Sequence, residues 1–331
     1  MKTQYLLAVM GCSFLFFFCE SGAKANLSGE LMTFSNPLYL GADPWVIKDG
    51  GWYYHCWSTG RAIYVSRSHD FISRGESSAV WFAKPGKWNA ANVWAPELHR
   101  IRGKWYIYYA ADAGTNETHR MGVLVARSDD PLGEWDEAGQ LYTGGRWAID
   151  GTVLEYGEYL YFIWSGWPGY HDGKQNLYIA RMDSPVSISE DPVLISEPTF
   201  DWEMNGMPIM EGPEILKNGS NTLIVYSASG SWTRFYCLGA LVLKQDGKPD
   251  DPSSWIKIEN PLFSESDTVY GPGHASFTVS KDGTTNWIVY HAKTGTEHGW
   301  NRVVRTQPFE WKNGLPVFGK PVPDGVELVL K

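Results

Sequence analysis

The chain has 331 residues, of which 43% are apolar and 20% charged, and its formal net charge is −9. This is enough for one large domain or two ordinary ones with a proper core. An acidic chain without a run rich in lysine and arginine lacks the basic footprint that nucleic acids and anionic membranes require, so both are excluded as partners. The 17 Trp, 18 Tyr, 14 Phe and 35 Gly favour many short strands joined by tight turns.

The first 25 residues have the features of a secretory signal peptide. Lys2 precedes an apolar run, Leu6 to Phe18, which is too short to span a bilayer comfortably. Ala23-Lys24-Ala25 has the small-x-small pattern after which a signal peptidase cuts. We therefore expect cleavage before Asn26 and a secreted or periplasmic protein without a membrane span.

Two alternatives concern the cysteines. A lipoprotein acylated on Cys19 is the competing interpretation of the first residues, although three phenylalanines stand directly before this cysteine, where small residues are usual. Cleavage before Asn26 leaves Cys56 and Cys237, each inside an apolar strand pattern. A buried free thiol is the expected state of both, and the sequence leaves a disulfide between them open.

Five segments share one pattern, which is a strand, a turn that contains glycine, and a second strand of alternating aromatic or β-branched residues. In chain order they are ADPWVIKDGGWYYHCW from Ala42, WAPELHRIRGKWYIYYA from Trp94, IDGTVLEYGEYLYFIW from Ile149, MEGPEILKNGSNTLIVYS from Met210 and GHASFTVSKDGTTNWIVYH from Gly273. A third strand is predicted after each hairpin, at residues 61–68, 121–128, 176–182, 237–244 and 301–308. The repeat predicts an all-β fold, a single five-bladed β-propeller over residues 26–331, and a pair of β-sandwiches is the alternative.

Each repeat has a residue before its first strand, at a position that we call the inner slot. The five are Asp43, Ala95, Asp150, Glu211 and His274. The innermost strands of a propeller surround one axis, so residues at equivalent positions converge on a central funnel. Three acids brought together repel one another, which points to a use in chemistry. Glu211 precedes Gly-Pro and an apolar strand, where burial would raise its pKa and favour a proton donor.

Six stretches resemble glycoside hydrolase family 43, and closely its exo-acting α-L-arabinofuranosidase members. They are NPLYLGADPWV, VWAPELH, AIDGTV, MEGPEIL, VYGPGH and RTQPFEW, in order and in register from about Asn36 to Pro323. The resemblance implies a five-bladed propeller that hydrolyses glycosides with inversion and needs no cofactor for the chemistry. It implies Asp43 as general base, Asp150 as the residue that orients and tunes the acid, and Glu211 as general acid.

From this resemblance we expect release of terminal α-L-arabinofuranosyl residues from arabinan or other arabinose-containing plant-type polysaccharides by a monomeric catalytic domain. A β-xylosidase of the same family is one alternative, because the same three acids serve both sugars. A non-catalytic sugar-binding propeller is another, although it would have no need of all three acids. The sequence leaves exo or endo action open.

Four further residues are candidates for substrate contacts. His274, in Gly-Pro-Gly-His-Ala, matches a position from which family members line the central channel, so it is a candidate for binding substrate and for holding calcium or another ion. Arg305 is expected to face inward as the partner of a sugar hydroxyl or of an acid. Trp94 and Trp164 are candidates for the apolar floor under the sugar.

Other acids and tryptophans receive a structural interpretation. Glu214, three residues after Glu211, is a rival proton donor, but the family motif places the donor before Gly-Pro. Glu97 should point to the same side of its strand as the inner slot but deeper, as a structural residue. Trp105 and Trp287 lie in the middle of predicted strands and are expected in the core.

Overall fold

The computed structural model describes residues 32–330. Its regular structure is almost entirely β, with 24 strands and three short 3₁₀ helices at Asn116–Thr118, Asp201–Glu203 and Pro252–Ser254. Five small sheets surround one axis, so the prediction of an all-β five-bladed propeller is confirmed. The expected signal peptide, with Cys19, lies outside the described residues.

The strands follow one another blade by blade. Before the first blade come β1 (Met32–Ser35) and β2 (Tyr39–Leu40). Blade one contains β3 (Trp45–Asp49), β4 (Trp52–Ser58), β5 (Ala62–Ser68) and β6 (Glu76–Phe82), and blade two contains β7 (Ala91–Ile101), β8 (Lys104–Asp112), β9 (Arg120–Ala126) and β10 (Trp135–Gln140). Blade three contains β11 (Ala148–Tyr156), β12 (Tyr159–Gly166), β13 (Asn176–Ser184), β14 (Ser187–Ile188) and β15 (Val193–Ser196). Blade four contains β16 (Met210–Asn218), β17 (Asn221–Ala228), β18 (Cys237–Leu243) and β19 (Trp255–Lys257). Blade five contains β20 (Tyr270–Val279), β21 (Asn286–Lys293), β22 (Arg302–Lys312) and β23 (Leu315–Val317), and β24 (Glu327–Leu330) follows.

Tight turns set the register of the inner hairpins. In blade two, Ile101 pairs with Lys104 across a two-residue turn. Both turn residues, Arg102 and Gly103, have positive φ, which matches the twist of the strands on either side. Blades one, three and four turn on two residues as well, so the first two strands of these four blades are held in a fixed register.

The hydrophobic core is divided into five clusters, each between two neighbouring blades. Trp105 packs between blades one and two and Trp287 between blades five and one, which confirms the core assignment of both. Cys56 and Cys237 are buried free thiols in different clusters, so they do not pair. Within residues 32–330, each blade therefore packs against the blades on both sides of it.

The ring is closed by a strand from the beginning of the chain. β2 pairs with β22, so an N-terminal strand completes the sheet of blade five. The Asn36 side chain strengthens this closure, donating to the carbonyl of Thr306 at 2.8 Å and accepting from its N–H at 3.0 Å. β1 pairs with β24, which ties both ends of the described chain together. None of the helices in the part that the structure describes has the length and apolarity to cross a membrane.

Candidate active site

Blades two to five have the same local distortion, a β-bulge, near the start of their innermost strand. In blade three, Ile149 pairs with Ser165 and Thr152 with Ile163, so Asp150 and Gly151 together oppose a single residue. The first residue of this bulge has a left-handed backbone in these four blades, with φ of 40° at Ala95, 52° at Asp150, 51° at Gly212 and 45° at His274. Asp43, which lies just before β3 of blade one, has the same conformation, with φ of 48°. Bulges redirect a side chain and often lie beside active sites. Here the repeated bulge directs side chains from several blades into one cavity.

In blade four the inner slot was assigned one residue too early. Glu211 pairs with Ser227 and Glu214 with Val225, so the bulge begins at Gly212, which has the positive φ. Glycine adopts this conformation at little cost, and the Gly-Pro pair therefore marks the bulge better than the acid does. Glu211 occupies the position that Trp94, Ile149 and Gly273 hold in blades two, three and five. Although Glu211 precedes the inner slot of its blade by one residue, it lines the same cavity.

Asp43 is surrounded by basic groups. Its Oδ1 lies 3.3 Å from Nδ1 of His274, 3.2 Å from Nδ1 of His291 and 3.3 Å from Nη1 of Arg302. Burial opposes the ionisation of Asp43, but His274 and Arg302 outweigh it and hold the pKa of this carboxyl well below its usual range. Asp43 is therefore an ionised acceptor at neutral pH.

Glu211 has the opposite protonation. Its side chain is buried, with 8% of the residue exposed, and Tyr236 donates a hydrogen bond to Oε1 at 2.7 Å. Burial raises the pKa of Glu211 to about 7, the hydrogen bond from Tyr236 opposes this rise, and the charge of Asp43 adds to it. Glu211 therefore keeps a proton over much of the neutral range.

Asp150 lies close to Glu211, and one atom of each lies within 4.8 Å of the other. It is 3% exposed, its Oδ2 accepts a hydrogen bond from the Gly212 N–H at 3.1 Å, and Nδ1 of His274 lies 3.9 Å from the same oxygen. Burial, followed by Glu211 and Asp43, raises the pKa of Asp150 well above its ordinary value. The hydrogen bond from Gly212 joins Asp150 to the peptide that directly follows Glu211. The position of Glu211 is thereby tied to Asp150.

The three acids open into a cavity of about 430 Å³, a size typical of small-molecule sites. Its other walls come from loops and strand ends of several blades, and include Trp94, Asn116, Trp147, Asp172, Gln175, Trp232, His274, Trp300 and Arg302. The ring of Trp94 stacks on buried His119 with centroids 4.0 Å apart, which fixes this wall. The cavity thus combines aromatic faces with a small number of polar groups.

The structure places two of the expected substrate residues elsewhere. Trp164 is 1% exposed and packs between Phe162 and Tyr178 in the core of blade three, while Trp147 lines the cavity. Arg305 donates to Asp324 Oδ1 at 2.6 Å and to a backbone carbonyl near the end of the chain, outside the cavity. The expectations that Trp164 lies under the sugar and that Arg305 faces the acids were therefore wrong.

Sequence reasoning missed the arginine that does contact an acid. Arg302 and Arg305 are three residues apart on β22, so their side chains leave opposite faces of the strand. Arg302 faces Asp43, and no pattern in the sequence distinguished the two faces. Tyr236 and His291 were missed as well, because aromatic and histidine residues in apolar strands look like core in sequence.

Two further carboxyl groups lie deeper, directly after the bulges. Glu97 is buried and lies 2.8 Å from the His99 ring, and Glu214 follows the bulge of blade four. Burial raises the pKa of both carboxyl groups well above their ordinary values, and in Glu214 the charge of Glu97 adds to the effect. Neither lines the cavity, whereas Glu211 does.

One group of side chains in the described region has the composition of a cation site. Asp150, Glu211 and His274 each offer one ligand atom, and these atoms lie within 4.8 Å of one another. A metal requires deprotonated ligands, whereas both carboxyl groups here have raised pKa values. While Glu211 is protonated, these three side chains are therefore a poor site for a metal ion.

A propeller in which a protonated carboxyl group and an ionised carboxylate share one small aromatic cavity has the equipment of a glycosidase. The profile of Glycosyl hydrolases family 43 matches residues 34–316. The chain belongs to this family.

Two named relatives agree with the family assignment. The chain is 34% identical over 313 residues to an extracellular exo-α-(1→5)-L-arabinofuranosidase from Streptomyces avermitilis, with 89% of this chain and 65% of the relative covered. It is 32% identical to α-L-arabinofuranosidase 43 from Humicola insolens, with 86% and 62% covered. The chain thus spans a little under two thirds of the length of these two relatives.

A solved structure covers almost the same length. The crystal structure of α-L-arabinofuranosidase from Lactobacillus brevis matches with a TM-score of 0.83 and 34% identity, covering 88% of this chain and 98% of that one. Almost all of that solved chain is therefore matched by this propeller.

Proposed function

We propose that this enzyme is an inverting, exo-acting α-L-arabinofuranosidase that releases terminal α-L-arabinofuranosyl units from arabinan or related side chains. One observation supports the chemistry above all others. In a single cavity, the pKa of Glu211 is raised to about 7 and the pKa of Asp43 is held well below its usual range. Two carboxyl groups with opposite protonation at neutral pH supply the acid and the base that glycoside hydrolysis requires, and membership of family 43 supports inversion.

In the proposed reaction Asp43 accepts a proton from water, and the water oxygen bonds to the anomeric carbon. The bond from that carbon to the leaving oxygen breaks on the opposite face of the sugar, and Glu211 gives its proton to this oxygen. The positive charge of Arg302 keeps Asp43 ionised before the attack. Asp150 positions the donor through the Gly212 peptide. The products are arabinose of inverted anomeric configuration and a shortened glycan.

The choice of arabinose is supported by the relatives, whose names describe exo-α-(1→5)-L-arabinofuranosidase and α-L-arabinofuranosidase. Hydrolysis of para-nitrophenyl α-L-arabinofuranoside beside para-nitrophenyl β-D-xyloside tests it. We expect the arabinofuranoside to be the better substrate, and a preference for the xyloside would identify a β-xylosidase. Proton NMR of the first product formed tests inversion.

The acid and base roles can be separated by leaving groups. Glu211→Ala should lose about 10²- to 10⁴-fold in kcat on an arabinan oligosaccharide, but much less on an aryl arabinofuranoside whose phenol leaves as a stable anion. Asp43→Asn should lose activity on both substrates, because water must be activated in either case. Glu214→Ala is the matched control. A leaving-group dependence in Glu214→Ala and not in Glu211→Ala would reassign the donor.

We propose that the reaction needs no cofactor, and that a calcium or other ion held by His274 does not take part in the chemistry. An ion bound by Asp150, Glu211 and His274 together would displace the Glu211 proton that the reaction uses. Exhaustive dialysis against EDTA should leave kcat/KM unchanged. A loss that calcium restores would contradict this proposal.

We also propose that the protein is exported, as the extracellular relative from Streptomyces avermitilis is. The support within the chain is the apolar run and the small-x-small site that precede Asn26. Mass spectrometry of the exported protein should find Asn26 as its first residue. A lipid on Cys19 would instead show a lipoprotein.

A further inference from the structure

Two tryptophans stand together at the mouth of the cavity. Trp232 lies in the loop between β17 and β18 of blade four, and Trp300 lies in the loop between β21 and β22 of blade five. Both line the cavity, and their ring centroids are 5.5 Å apart at an interplanar angle of 56°. Trp300 is 61% exposed, whereas tryptophan side chains are on average highly buried. We call these two residues the tryptophan pair.

The tryptophan pair is held in place before any ligand arrives. A side-chain carbon at Gly230 would lie 2.7 Å from the Trp232 ring, so this ring rests directly on the glycine backbone. The Trp232 carbonyl accepts a hydrogen bond from the Gly299 N–H at 3.0 Å, which joins the two loops one residue before Trp300. A preformed surface loses little conformational freedom on binding, as a binding platform requires.

The second loop is also connected to the proposed base. The guanidinium of Arg302 lies 5.6 Å from the centre of the Trp300 ring, and the same side chain contacts Asp43 at 3.3 Å. A cation over an aromatic face attracts it. Trp300 and Asp43 therefore share Arg302 as a neighbour.

The direction of bond cleavage indicates what the tryptophan pair contacts. The loop that carries Trp232 ends at Tyr236, whose hydroxyl is bonded to Glu211. A proton donor must face the leaving oxygen, so the leaving group departs on the side of blade four. Trp94, by contrast, forms a wall on blade two. The released arabinose and its leaving group thus have separate aromatic surfaces.

We infer that the tryptophan pair is the binding platform for the leaving sugar, which is the first residue of the glycan that remains after cleavage. This inference rests on the proposed function. Indole faces bind the C–H face of a sugar ring while the hydroxyls stay in water, which suits a half-exposed platform. Recognition on this side would make the enzyme prefer glycosidic substrates whose leaving group is itself a sugar.

The test compares two substrates that differ only in the leaving group. α-L-arabinofuranosyl fluoride has a single leaving atom that cannot reach the tryptophan pair, whereas α-1,5-linked arabinobiose has a leaving sugar. In Trp300→Ala, we expect the loss of kcat/KM on arabinobiose to exceed the loss on the fluoride by about tenfold or more. Trp300→Phe should recover part of this difference, and Trp232→Ala should show the same selective loss.

Two controls frame the result. Trp94→Ala should lower activity on both substrates to a similar degree, because its wall lies on the side of the released arabinose. Tyr170→Ala removes an aromatic ring that is 75% exposed on a blade-three loop, and it should change neither rate. The fluoride rate also reports whether each variant is folded.

Equal losses on both substrates in Trp300→Ala would overturn the inference, and so would no loss on either. If the wild-type enzyme hydrolyses neither compound, the proposed function itself fails. If it hydrolyses both and the substitutions leave their ratio unchanged, only the platform fails. The two failures are therefore distinguishable.

Discussion

The Tyr236 hydroxyl donates a hydrogen bond to Oε1 of Glu211 over 2.7 Å, and both side chains are buried. The tyrosine ring is in turn stacked on His291, with centroids 5.4 Å apart and the planes 5° from parallel. A donor of this kind stabilises the carboxylate form, so it limits the rise in the pKa of Glu211 that burial causes.

Removing this donor should move the pH profile. Tyr236→Phe is expected to raise the pKa of Glu211 and to shift the alkaline limb of kcat/KM upward by about one pH unit, since a hydrogen bond to a charged group contributes about 1.5–3 kcal/mol and one pKa unit corresponds to about 1.4 kcal/mol. Tyr226→Phe is a matched control, because that buried hydroxyl donates to Glu203, which does not line the cavity. A shift in the control or a downward shift in Tyr236→Phe would contradict the assignment.

Replacing Arg302 should move both limbs of the pH profile of kcat/KM in the same direction. The charge of Arg302 lowers the pKa of Asp43 and also that of Glu211, so Arg302→Met should shift the whole bell to higher pH and lower its maximum. Arg305→Met breaks an ion pair with Asp324 outside the cavity and should leave the profile in place. The opposite outcome would restore Arg305 to the site.

The importance of the bulge at Gly212 for activity can be tested by replacing each of two glycines with alanine. Gly212 and Gly157 both have positive φ, of 51° and 61°, so alanine at either position should cost about 1 kcal/mol of unfolding free energy. A side-chain carbon at Gly212 would also lie 3.2 Å from the His274 ring, whereas the space around Gly157 is open. Only Gly212→Ala should lower kcat/KM, by about tenfold or more. Equal activity in both variants would show that the bulge tolerates displacement of His274.

The deep acid Glu214 should make stability depend on pH. Its pKa is raised in the folded state, so folded protein holds a proton that the unfolded chain releases above the ordinary glutamate pKa. The free energy of unfolding should therefore fall as pH rises from about 4, by up to about 1.4 kcal/mol per pH unit for this group. Glu214→Gln should be stabilised relative to wild type at pH 8 and not at pH 4.5, as thermal denaturation would show. The exposed Glu310→Gln should show no such difference.

The blade architecture could be predicted because short, local sequence patterns determine each hairpin. Each hairpin needs a strand, a glycine turn and a strand, and all five third strands lie within a few residues of their expected positions. The closing strand was not predicted, because β2 has only two residues and its partner lies at the other end of the chain. Short strands with distant partners leave no periodic signal.

The site was predicted less completely, for reasons of geometry. Acids stand out in an apolar repeat, so Asp43, Asp150 and Glu211 could be named, but the alignment placed Glu211 at the slot that Gly212 occupies. A bulge adds one residue to a strand, and sequence alone does not show which one. The positions of Arg302 and Trp147 depend on which face of a strand or loop is turned inward, and long-range packing decides that.

The closure of the ring also has a consequence for how the protein is made. Asn36 and its hydrogen-bond partner Thr306 are 270 positions apart, so the ribosome synthesises one of them near the start of the chain and the other near its end. Until β22 has emerged, β2 has an unpaired edge, and blade five lacks the strand that joins it to the rest. A chain that stops before Arg302 would contain all three acids and still have no closed cavity around them. We therefore expect activity in the cell only after blade five has been synthesised and has closed the ring.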